Sequence, residues 1–329
     1  MKVSVFNTKL YDQIYLEQAN RLHNLKLTFL QEPLEERTAL LAKDSQVVCC
    51  FVNDKLNRAV IKQLRELGIS LIAMRCAGYN NIDLQAAKEL GLTIVRVPEY
   101  SAYAVAEHAV ALILSLNRKL CRAYNRVREE NFSLQGLMGF DLHHKTVGVV
   151  GTGKIGTVFA KIMQSGFGCR VLAYDPIKNP VCEELGVRYV ELNKLLESSD
   201  IISLHCPLTP ETLHMINEDS IRKMKSGVML INTGRGGLVT TKAVIDALKT
   251  KKIGYLGLDV YEEEGPLFFQ DLSEYILQDD VFARLLTFPN VVITGHQAFF
   301  THEAMTNIAN ITLENIIKFF KQQSINVVI

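Results

Sequence analysis

Several features are missing from this chain of 329 residues, and each absence excludes a class of protein. The formal net charge is only +1, so no basic excess favours a nucleic acid or an anionic membrane as a partner. The longest strongly apolar stretch, residues 109–114, is far too short to span a bilayer. The opening segment, MKVSVFNTKLYD, contains no apolar core of the secretory type. We therefore expect a cytoplasmic protein.

Paired cysteines and metal-ligand clusters are missing as well. The seven cysteines are scattered and form no C-x-x-C pair, a pattern typical of free thiols in a reducing compartment. The eight histidines lack the spacing and the carboxylate neighbours of a metal site, so we predict no metal. With 48% hydrophobic and 22% charged residues, the composition is that of a globular protein. The length suggests two domains.

The chain does contain a glycine-rich turn, residues 147–156 (VGVVGTGKIG), between a buried strand and a helix. Gly151 would allow the tight turn, Gly153 would let the backbone approach a pyrophosphate, and Gly156 would let helix and strand pack closely. Free N–H groups at the start of the helix favour phosphate binding. The residues of this turn that we predict to contact a dinucleotide are Gly151, Thr152, Gly153, Lys154, Ile155 and Gly156.

A carboxylate follows the next predicted strand. Asp175 lies nineteen residues after Gly156, behind the apolar run 171–174. It would accept hydrogen bonds from both adenosine ribose hydroxyls, and its charge would repel a 2′-phosphate. No arginine follows it directly. Because strand, glycines, helix, strand and acid agree, the sequence predicts that the chain binds NAD rather than NADP.

Strand and helix patterns alternate along the chain, which favours parallel sheets with helical crossovers. Residues 145–299 contain six strand patterns, the number found in a doubly wound dinucleotide-binding domain. We predict an α/β fold of two doubly wound parallel-sheet domains around a cleft. Residues 1–100 and 300–329 would form a flavodoxin-like substrate domain, and residues 101–299 a Rossmann NAD-binding domain. The final helix, predicted at 303–322, would return to the first domain.

The stretch 101–120, SAYAVAEHAVALILSLNRKL, reads as a long helix that is apolar nearly all round. Such a helix must be buried on more than one side. A subunit interface would bury the second side, so we expect a homodimer or homotetramer formed through this helix. Burial wholly within one chain is the alternative.

Three predicted strands of the second domain are followed by groups capable of chemistry, namely Arg235, Glu264 and His296. The carboxyl ends of parallel strands meet at one edge of a sheet. A histidine exchanges a proton near neutral pH. A neighbouring carboxylate favours the protonated form of the histidine and fixes its tautomer. The planar guanidinium of an arginine fits the geometry of a substrate carboxylate. Beside NAD, these groups predict hydride transfer on a substrate whose carboxylate adjoins an alcohol or a ketone. Glu262 is the second choice for the carboxylate.

In combination, these motifs resemble the D-2-hydroxyacid dehydrogenases over essentially the whole chain. Besides the glycine turn and the final histidine, the resemblance rests on residues 204–212 (LHCPLTPET), 231–236 (INTGRG) and 258–261 (LDVY). The loop 75–81 (RCAGYNN) and the long segment after Glu264 resemble the fermentative branch that acts on pyruvate and D-lactate.

The resemblance implies a role for each site residue. Arg235 would bind the substrate carboxylate and polarise the C2 oxygen, His296 would protonate that oxygen, and Glu264 would pair with His296. The implied substrate contacts are Cys76, Ala77, Gly78, Tyr79, Tyr100, Arg235 and Phe299. The implied cofactor contacts outside the glycine turn are Asp175, Cys206, Pro207, Thr212, Thr233, Gly234, Arg235, Asp259 and His296.

Two alternatives remain open at this point. The substrate could be a bulkier 2-keto acid, because the sequence does not give the volume of a pocket lined by Tyr100 and Phe299. The chain could instead act as an NAD(H)-responsive corepressor of the same fold, although it lacks the disordered tail that such regulators usually carry.

Overall fold

The computed structural model describes all residues from Met1 to Ile329, which form two compact units. Met1–Ser101 and Phe300–Ile329 make up the first unit, and Ala102–Phe299 makes up the second. No helix in either unit has the length and apolar character that crossing a membrane requires.

The first unit contains a five-stranded parallel sheet with the order β2-β1-β3-β4-β5. Its strands are β1 (Lys2–Val5), β2 (Lys26–Phe29), β3 (Val47–Cys50), β4 (Leu71–Met74) and β5 (Thr93–Val95). Its helices are α1 (Leu10–Asn20), α2 (Arg58–Glu66), α3 (Leu84–Leu90) and α12 (His302–Phe320), with a 3₁₀ turn at Ala39–Ala42. This strand order is that of the flavodoxin-like fold, which confirms the predicted class.

The sheet of the first unit is buried on both faces. In β3, Val48 and Cys50 belong to the core on one face, whereas Val47 and Cys49 belong to the core on the other. Successive side chains of a strand point to opposite faces, so a strand covered on both sides needs a continuous apolar run. This requirement explains why the strand patterns in the first hundred residues are easy to recognise.

The second unit contains a seven-stranded parallel sheet with the order β12-β11-β10-β9-β6-β7-β8. Its strands are β6 (Thr146–Val150), β7 (Arg170–Tyr174), β8 (Arg188–Tyr189), β9 (Ile201–Leu204), β10 (Val228–Asn232), β11 (Ile253–Leu258) and β12 (Val291–Ile293). Its helices are α4 (Ala102–Arg118), α5 (Leu120–Arg128), α6 (Lys154–Lys161), α7 (Pro180–Glu184), α8 (Leu192–Ser198), α9 (Glu218–Lys223), α10 (Thr241–Lys249) and α11 (Asp280–Leu286). Counted from β6, the order is that of the Rossmann fold with one further strand, β12.

The sequence predicts six strands in this unit and misses β8. That strand consists of Arg188 and Tyr189 alone, paired with Leu172 and Ala173 of β7. Two residues show neither an alternation nor an apolar run, so they carry no strand signal.

Helix α4, which covers most of the stretch 101–120 predicted to form a subunit interface, packs within its own unit. Ala106, Ala109, Ile113 and Leu116 lie in a core that they share with residues of β6 and β10. The helix packs against α6, β10 and β11. Much of its apolar surface is therefore buried within one chain, and a subunit interface through this helix stays a prediction.

The final segment of the chain covers one edge of the first sheet. Helix α12 packs against α1 and β4. Beyond it, Val327 forms an antiparallel bridge with Val95 of β5, and Ile94 exchanges backbone hydrogen bonds with Val328 and Ile329 at 2.8 and 2.9 Å. The edge of β5 is thus paired rather than open to other chains.

Candidate active site

The glycine turn lies between β6 and α6. Gly151 directly follows β6, has φ +94° and donates its N–H to the Tyr174 carbonyl at 2.8 Å. Gly153 is the N-cap of α6, so the free N–H groups of the first helical turn follow it. A methyl group on Gly156 would lie 1.9 Å from the Gly151 carbonyl oxygen, whereas one on Gly153 would meet no atom within 4 Å. Gly156 thus serves close packing, and Gly153 leaves space in front of the turn.

Asp175 directly follows β7 and is half-buried. Its Oδ2 accepts hydrogen bonds from the N–H and the hydroxyl of Thr152, at 2.7 and 3.2 Å, and its Oδ1 accepts one from the Ile177 N–H at 2.9 Å. A carboxylate has about four lone-pair sites, so Oδ1 can accept a further donor. Tyr189 of β8 donates its hydroxyl to Thr152 at 2.8 Å, and burial raises its pKa. The turn and the carboxylate therefore form one hydrogen-bonded network.

The register of the sheet brings three strand ends level with one another. Asn232 at the end of β10 pairs with Leu258 at the end of β11, and Leu258 pairs with Ile293 at the end of β12. The segments that follow these three strands carry Arg235, Glu264 and His296. The three side chains are consequently delivered to the same edge of the sheet.

A buried asparagine shapes the turn that carries Arg235. The Asn232 side chain accepts a hydrogen bond from the Gly234 N–H at 3.0 Å and donates one to the Arg235 carbonyl at 2.8 Å. A methyl group on Gly236 would lie 2.0 Å from the Tyr261 carbonyl oxygen, so this turn packs directly on the segment after β11. The half-buried Arg235 guanidinium donates to the Gly234 carbonyl at 2.8 Å. It forms no ion pair within the unit, which leaves its charge for an anion.

His296 and Glu264 form a direct pair. The Nδ1 atom of His296 lies 2.8 Å from Oε1 of Glu264, and Oε2 of the same carboxylate accepts a hydrogen bond from the Tyr261 N–H at 3.0 Å. The His296 backbone is left-handed, at φ +55°, and donates its N–H to the Asp259 carbonyl at 2.7 Å. With Nδ1 bound to the carboxylate, Nε2 is the ring nitrogen that remains for proton exchange.

Glu262 has other partners. Its Oε1 lies 2.7 Å from Nε2 of His214, and its Oε2 accepts hydrogen bonds from the N–H and the hydroxyl of Thr241, at 3.1 and 2.9 Å. Of the two acids considered from the sequence, it is therefore Glu264 that contacts His296.

Asp259 organises the loop around His296. Its carboxylate is fully buried and accepts hydrogen bonds from the Thr294 hydroxyl at 2.5 Å and from the N–H groups of Gln297 and Ala298, both at 2.9 Å. These bonds fix the backbone on both sides of His296. The carboxylate serves the loop itself, so a cofactor contact by Asp259 stays a prediction.

The segment after β9 is closed by its own hydrogen bonds. The Thr212 hydroxyl donates to the Pro207 carbonyl at 2.7 Å and accepts from the Thr209 N–H at 2.8 Å. The Cys206 sulfur lies 3.6 Å from that of Met215, and burial raises the pKa of the Cys206 thiol to about 11. The thiol is therefore protonated at neutral pH. The cofactor contacts of Cys206, Pro207 and Thr212 stay predictions.

The loop predicted to bind the substrate lies in the first unit, directly after β4. Residues 76–79 follow this strand, and the Cys76 thiol donates to the Gly78 carbonyl at 3.3 Å. The Val97 N–H donates to the Cys76 carbonyl at 3.1 Å, which ties the loop to the end of β5. Tyr100 lies farther along the same segment, where its carbonyl accepts a hydrogen bond from Asn307 at 2.7 Å.

The domain that carries the glycine turn, the arginine turn and the histidine–carboxylate pair is similar to a known protein family. Residues 110–298 match the family described as D-isomer specific 2-hydroxyacid dehydrogenase, NAD binding domain. The chain belongs to this family. The predicted family, its enzymatic nature and the predicted NAD cofactor are thereby confirmed.

Individual relatives of this dehydrogenase match it over nearly their whole length. It is 55% identical over 318 residues to a 2-hydroxyacid dehydrogenase homolog of Haemophilus influenzae, which covers 97% of this chain and 96% of the relative. It is 53% identical over 316 residues to D-lactate dehydrogenase of Escherichia coli, with 96% of each chain covered. The apo-structure of D-lactate dehydrogenase from Escherichia coli matches with a TM-score of 0.92 at 49% identity, covering 100% of both chains.

The residues of this dehydrogenase fit NAD. The hydroxyl of Thr233 is buried and has no hydrogen-bond partner within the protein, so it is available to a ligand. The space in front of Gly153 admits a pyrophosphate, and Oδ1 of Asp175 can accept from a ribose hydroxyl. The turn from Gly151 to Gly156, together with Asp175, would hold the adenosine diphosphate part of the cofactor.

Sequence reasoning missed an aromatic residue beside the histidine of the dehydrogenase. The centroids of the Phe269 and His296 rings lie 5.5 Å apart. The backbone of Phe269 is left-handed, with φ +65°. Phe299, which the resemblance did identify, lies 6.5 Å from the same ring, edge to face. Phe269 belongs to a segment without helical or strand periodicity, so no pattern pointed to it.

His108 was also missed, although it carried a signal. Its Nε2 lies 3.0 Å from the Thr294 hydroxyl and 3.4 Å from the Asp259 carboxylate, so α4 supports the loop of His296. A polar ring within an otherwise apolar helix needs a partner, and that argument alone could have placed His108 against a polar element.

Proposed function

We propose that this NAD-dependent D-2-hydroxyacid dehydrogenase interconverts pyruvate and D-lactate. The observation that carries the proposal is the His296–Glu264 pair at 2.8 Å, on the sheet edge that also carries Arg235. The 53% identity to an enzyme named D-lactate dehydrogenase supports pyruvate as the substrate.

Each of the three residues has a defined role in the proposed reaction. The Arg235 guanidinium binds the substrate carboxylate and polarises the C2 oxygen, because its planar fork matches a carboxylate. His296 gives the proton on Nε2 to the C2 oxygen, and Glu264 accepts the hydrogen bond from Nδ1 and so fixes the tautomer. NADH, held by the glycine turn and Asp175, would supply the hydride for C2. The keto acid gains one hydride and one proton and becomes the hydroxy acid.

The first unit, in this proposal, is the substrate domain. The N–H groups of Ala77, Gly78 and Tyr79 donate no hydrogen bond within the protein. Successive free N–H groups in a loop form a cradle for an anion, and the substrate carboxylate is such an anion. Tyr100 of this unit contacts the side chain of the substrate in the proposal and favours a methyl group. The second unit provides the NAD-binding domain.

We also propose that the enzyme is a cytoplasmic homo-oligomer. All seven cysteines are free, as in reduced proteins. Six apolar residues in the segment that follows α4 are exposed, namely Leu120, Tyr124, Val127, Phe132, Leu134 and Met138. Exposed apolar patches mark interaction sites, and a second copy of the chain is the proposed partner.

Light scattering after size exclusion tests the oligomer. A particle larger than one 37.0 kDa chain is expected for the wild type, and Phe132→Ser with Leu134→Ser should shift it toward a monomer. Leu22→Ser changes an equally exposed apolar residue of the first unit and serves as the control. A monomeric wild type would refute the proposal.

A substrate panel tests the reaction. Values of kcat/KM with NADH are measured for pyruvate, 2-ketoisocaproate and phenylpyruvate. The proposal requires the highest value for pyruvate. A higher value for either bulky keto acid would retain the family and assign a different substrate. NADH binding without turnover of any of the three would favour a regulatory protein.

A further inference from the structure

Arg96 contacts the loop 76–79, which is the loop proposed to bind the substrate carboxylate. It follows β5, and its Nη1 donates a hydrogen bond to the Ala77 carbonyl at 2.8 Å. Its guanidinium also lies over the Tyr79 ring, 5.0 Å from the centroid. A single side chain therefore holds a carbonyl and a ring of the four-residue loop 76–79.

The hydrogen bond to Ala77 determines where the next N–H points. In a planar trans peptide, the carbonyl of one residue and the N–H of the next point in opposite directions. Because Arg96 binds the Ala77 carbonyl, the Gly78 N–H must point away from Arg96. That N–H forms no hydrogen bond within the protein, nor do those of Ala77 and Tyr79. A charged donor on the carbonyl also polarises the peptide and strengthens its N–H as a donor.

The backbone of Arg96 is itself fixed. Its N–H donates to the Asn326 carbonyl at 3.0 Å, and its carbonyl accepts a hydrogen bond from the Asn315 side chain of α12 at 2.9 Å. Asn315 also accepts from the Asn326 side chain at 3.0 Å. The guanidinium thus extends toward the loop from a backbone that is held on two sides.

We propose that Arg96 is a positioning residue that orients the Ala77–Gly78 peptide so that its N–H binds the substrate carboxylate. The inference rests on the proposed function, because it assumes that the loop 76–79 receives a 2-keto acid. Arg96 acts through the peptide and does not itself touch the substrate. Its side chain is half-buried, and its contacts lie within the first unit.

This role predicts a particular kinetic signature. The substrate carboxylate keeps its charge throughout the reaction, so a hydrogen bond to it stabilises the bound substrate and the transition state equally. Loss of such an interaction raises KM and leaves kcat nearly unchanged. Arg235 differs, because it contacts the C2 oxygen on which charge develops.

The test compares wild type with Arg96→Met, Arg96→Lys and a control, Arg21→Met. Arg21 is an exposed arginine of the same unit whose side chain forms no ion pair or hydrogen bond. For Arg96→Met we expect KM for pyruvate to rise about tenfold or more, as for loss of a hydrogen bond to a charged group. We expect kcat and the Kd for NADH to stay within about threefold of wild type. The KM of Arg96→Lys should lie between those of wild type and Arg96→Met. The KM of Arg21→Met should match that of wild type.

Binding of oxamate, an unreactive keto-acid isostere, to the NADH complex gives a readout that is independent of turnover. Weaker oxamate binding by Arg96→Met would support the proposal, also in an enzyme that does not reduce pyruvate. If Arg96→Met has an unchanged KM and oxamate affinity but a lower Tm, Arg96 serves only the stability of the fold, and the proposal is overturned. A lower kcat at unchanged KM would overturn it as well. If Arg96→Met does not fold, Arg96→Lys decides by the same criteria. Absence of turnover in the wild type would refute the proposed substrate and leave the oxamate comparison valid.

Discussion

The imidazole of His296 is joined to Glu264 by a hydrogen bond of 2.8 Å at Nδ1. The Glu264 carboxylate is anchored in turn by the Tyr261 N–H at 3.0 Å, and the His296 N–H is anchored by the Asp259 carbonyl at 2.7 Å. Both partners are therefore positioned by backbone contacts as well as by each other. This arrangement leaves Nε2 as the nitrogen that faces the chemistry.

Replacing Glu264 by Gln should lower kcat about 10²–10⁴-fold. A glutamine can donate to Nδ1 and stabilise the tautomer that lacks a proton there, which removes the orientation that the carboxylate imposes. His296→Ala should cause a loss of similar size, about 10²–10⁴-fold, as for loss of a general acid. Steady-state kinetics with saturating NADH measure both. Glu262→Gln, in which the changed acid contacts His214 instead, is the matched control, and an equal loss in that variant would contradict the assignment.

Replacing Arg235 by Ala should raise KM and lower kcat together. The guanidinium acts on the bound substrate and on the developing charge of the transition state, so kcat/KM should fall roughly 10²–10³-fold. Arg235→Lys keeps the charge without the planar fork and should recover only part of the loss. Arg222→Ala removes an exposed arginine of the same unit and serves as the control. A normal KM in Arg235→Ala would exclude its role in carboxylate binding.

Gly153 and Gly156 of the glycine turn should respond differently to substitution. A methyl group on Gly153 would meet no protein atom within 4 Å. We therefore expect Gly153→Ala and Gly153→Val to retain the wild-type Tm, while NADH binding by Gly153→Val weakens about tenfold or more. A methyl group on Gly156 would collide with the Gly151 carbonyl. Gly156→Ala should therefore lower the free energy of unfolding by about 1–3 kcal/mol. Fluorescence titration with NADH and urea unfolding measure the two effects. Unimpaired NADH binding by Gly153→Val would place the pyrophosphate elsewhere.

His205 should make the protein less stable in mild acid. Burial lowers the pKa of His205 to about 3, whereas a histidine in an unfolded chain titrates near 6.5. Between these values the unfolded chain binds a proton that the folded protein excludes, so the free energy of unfolding falls as the pH drops below about 6.5. From pH 7.5 to 5.0 this amounts to about 2 kcal/mol.

The variant His205→Gln isolates that contribution. A glutamine can still contact the Ser203 hydroxyl, which lies 2.9 Å from Nε2 in the wild type, and it does not titrate. Urea unfolding at both pH values should show a loss in free energy that is smaller by about 2 kcal/mol in the variant. Equal losses in the two proteins would show that His205 is not buried in its neutral form.

Much of this architecture follows from local patterns in the chain. The strands buried on both faces are continuous apolar runs, and the glycine turn has the spacing that a dinucleotide requires. Arg235 and His296 were identified because parallel strands end at one edge of a sheet. Those arguments depend only on short stretches of sequence.

Other features depend on packing and could not be read in this way. The choice between Glu262 and Glu264 is decided by which side chains lie opposite, since Thr241 and His214 contact the first and His296 the second. Strand β8 is too short to carry a signal. Whether an apolar helix such as α4 faces its own core or another subunit is set by tertiary contacts.

The proposed reaction is tested most directly by the oxidation of NADH by purified wild-type enzyme with pyruvate, followed at 340 nm, with the chirality of the product determined. We expect pyruvate-dependent turnover that yields D-lactate alone. Formation of L-lactate, or NADH binding without any oxidation, would contradict the proposed reaction.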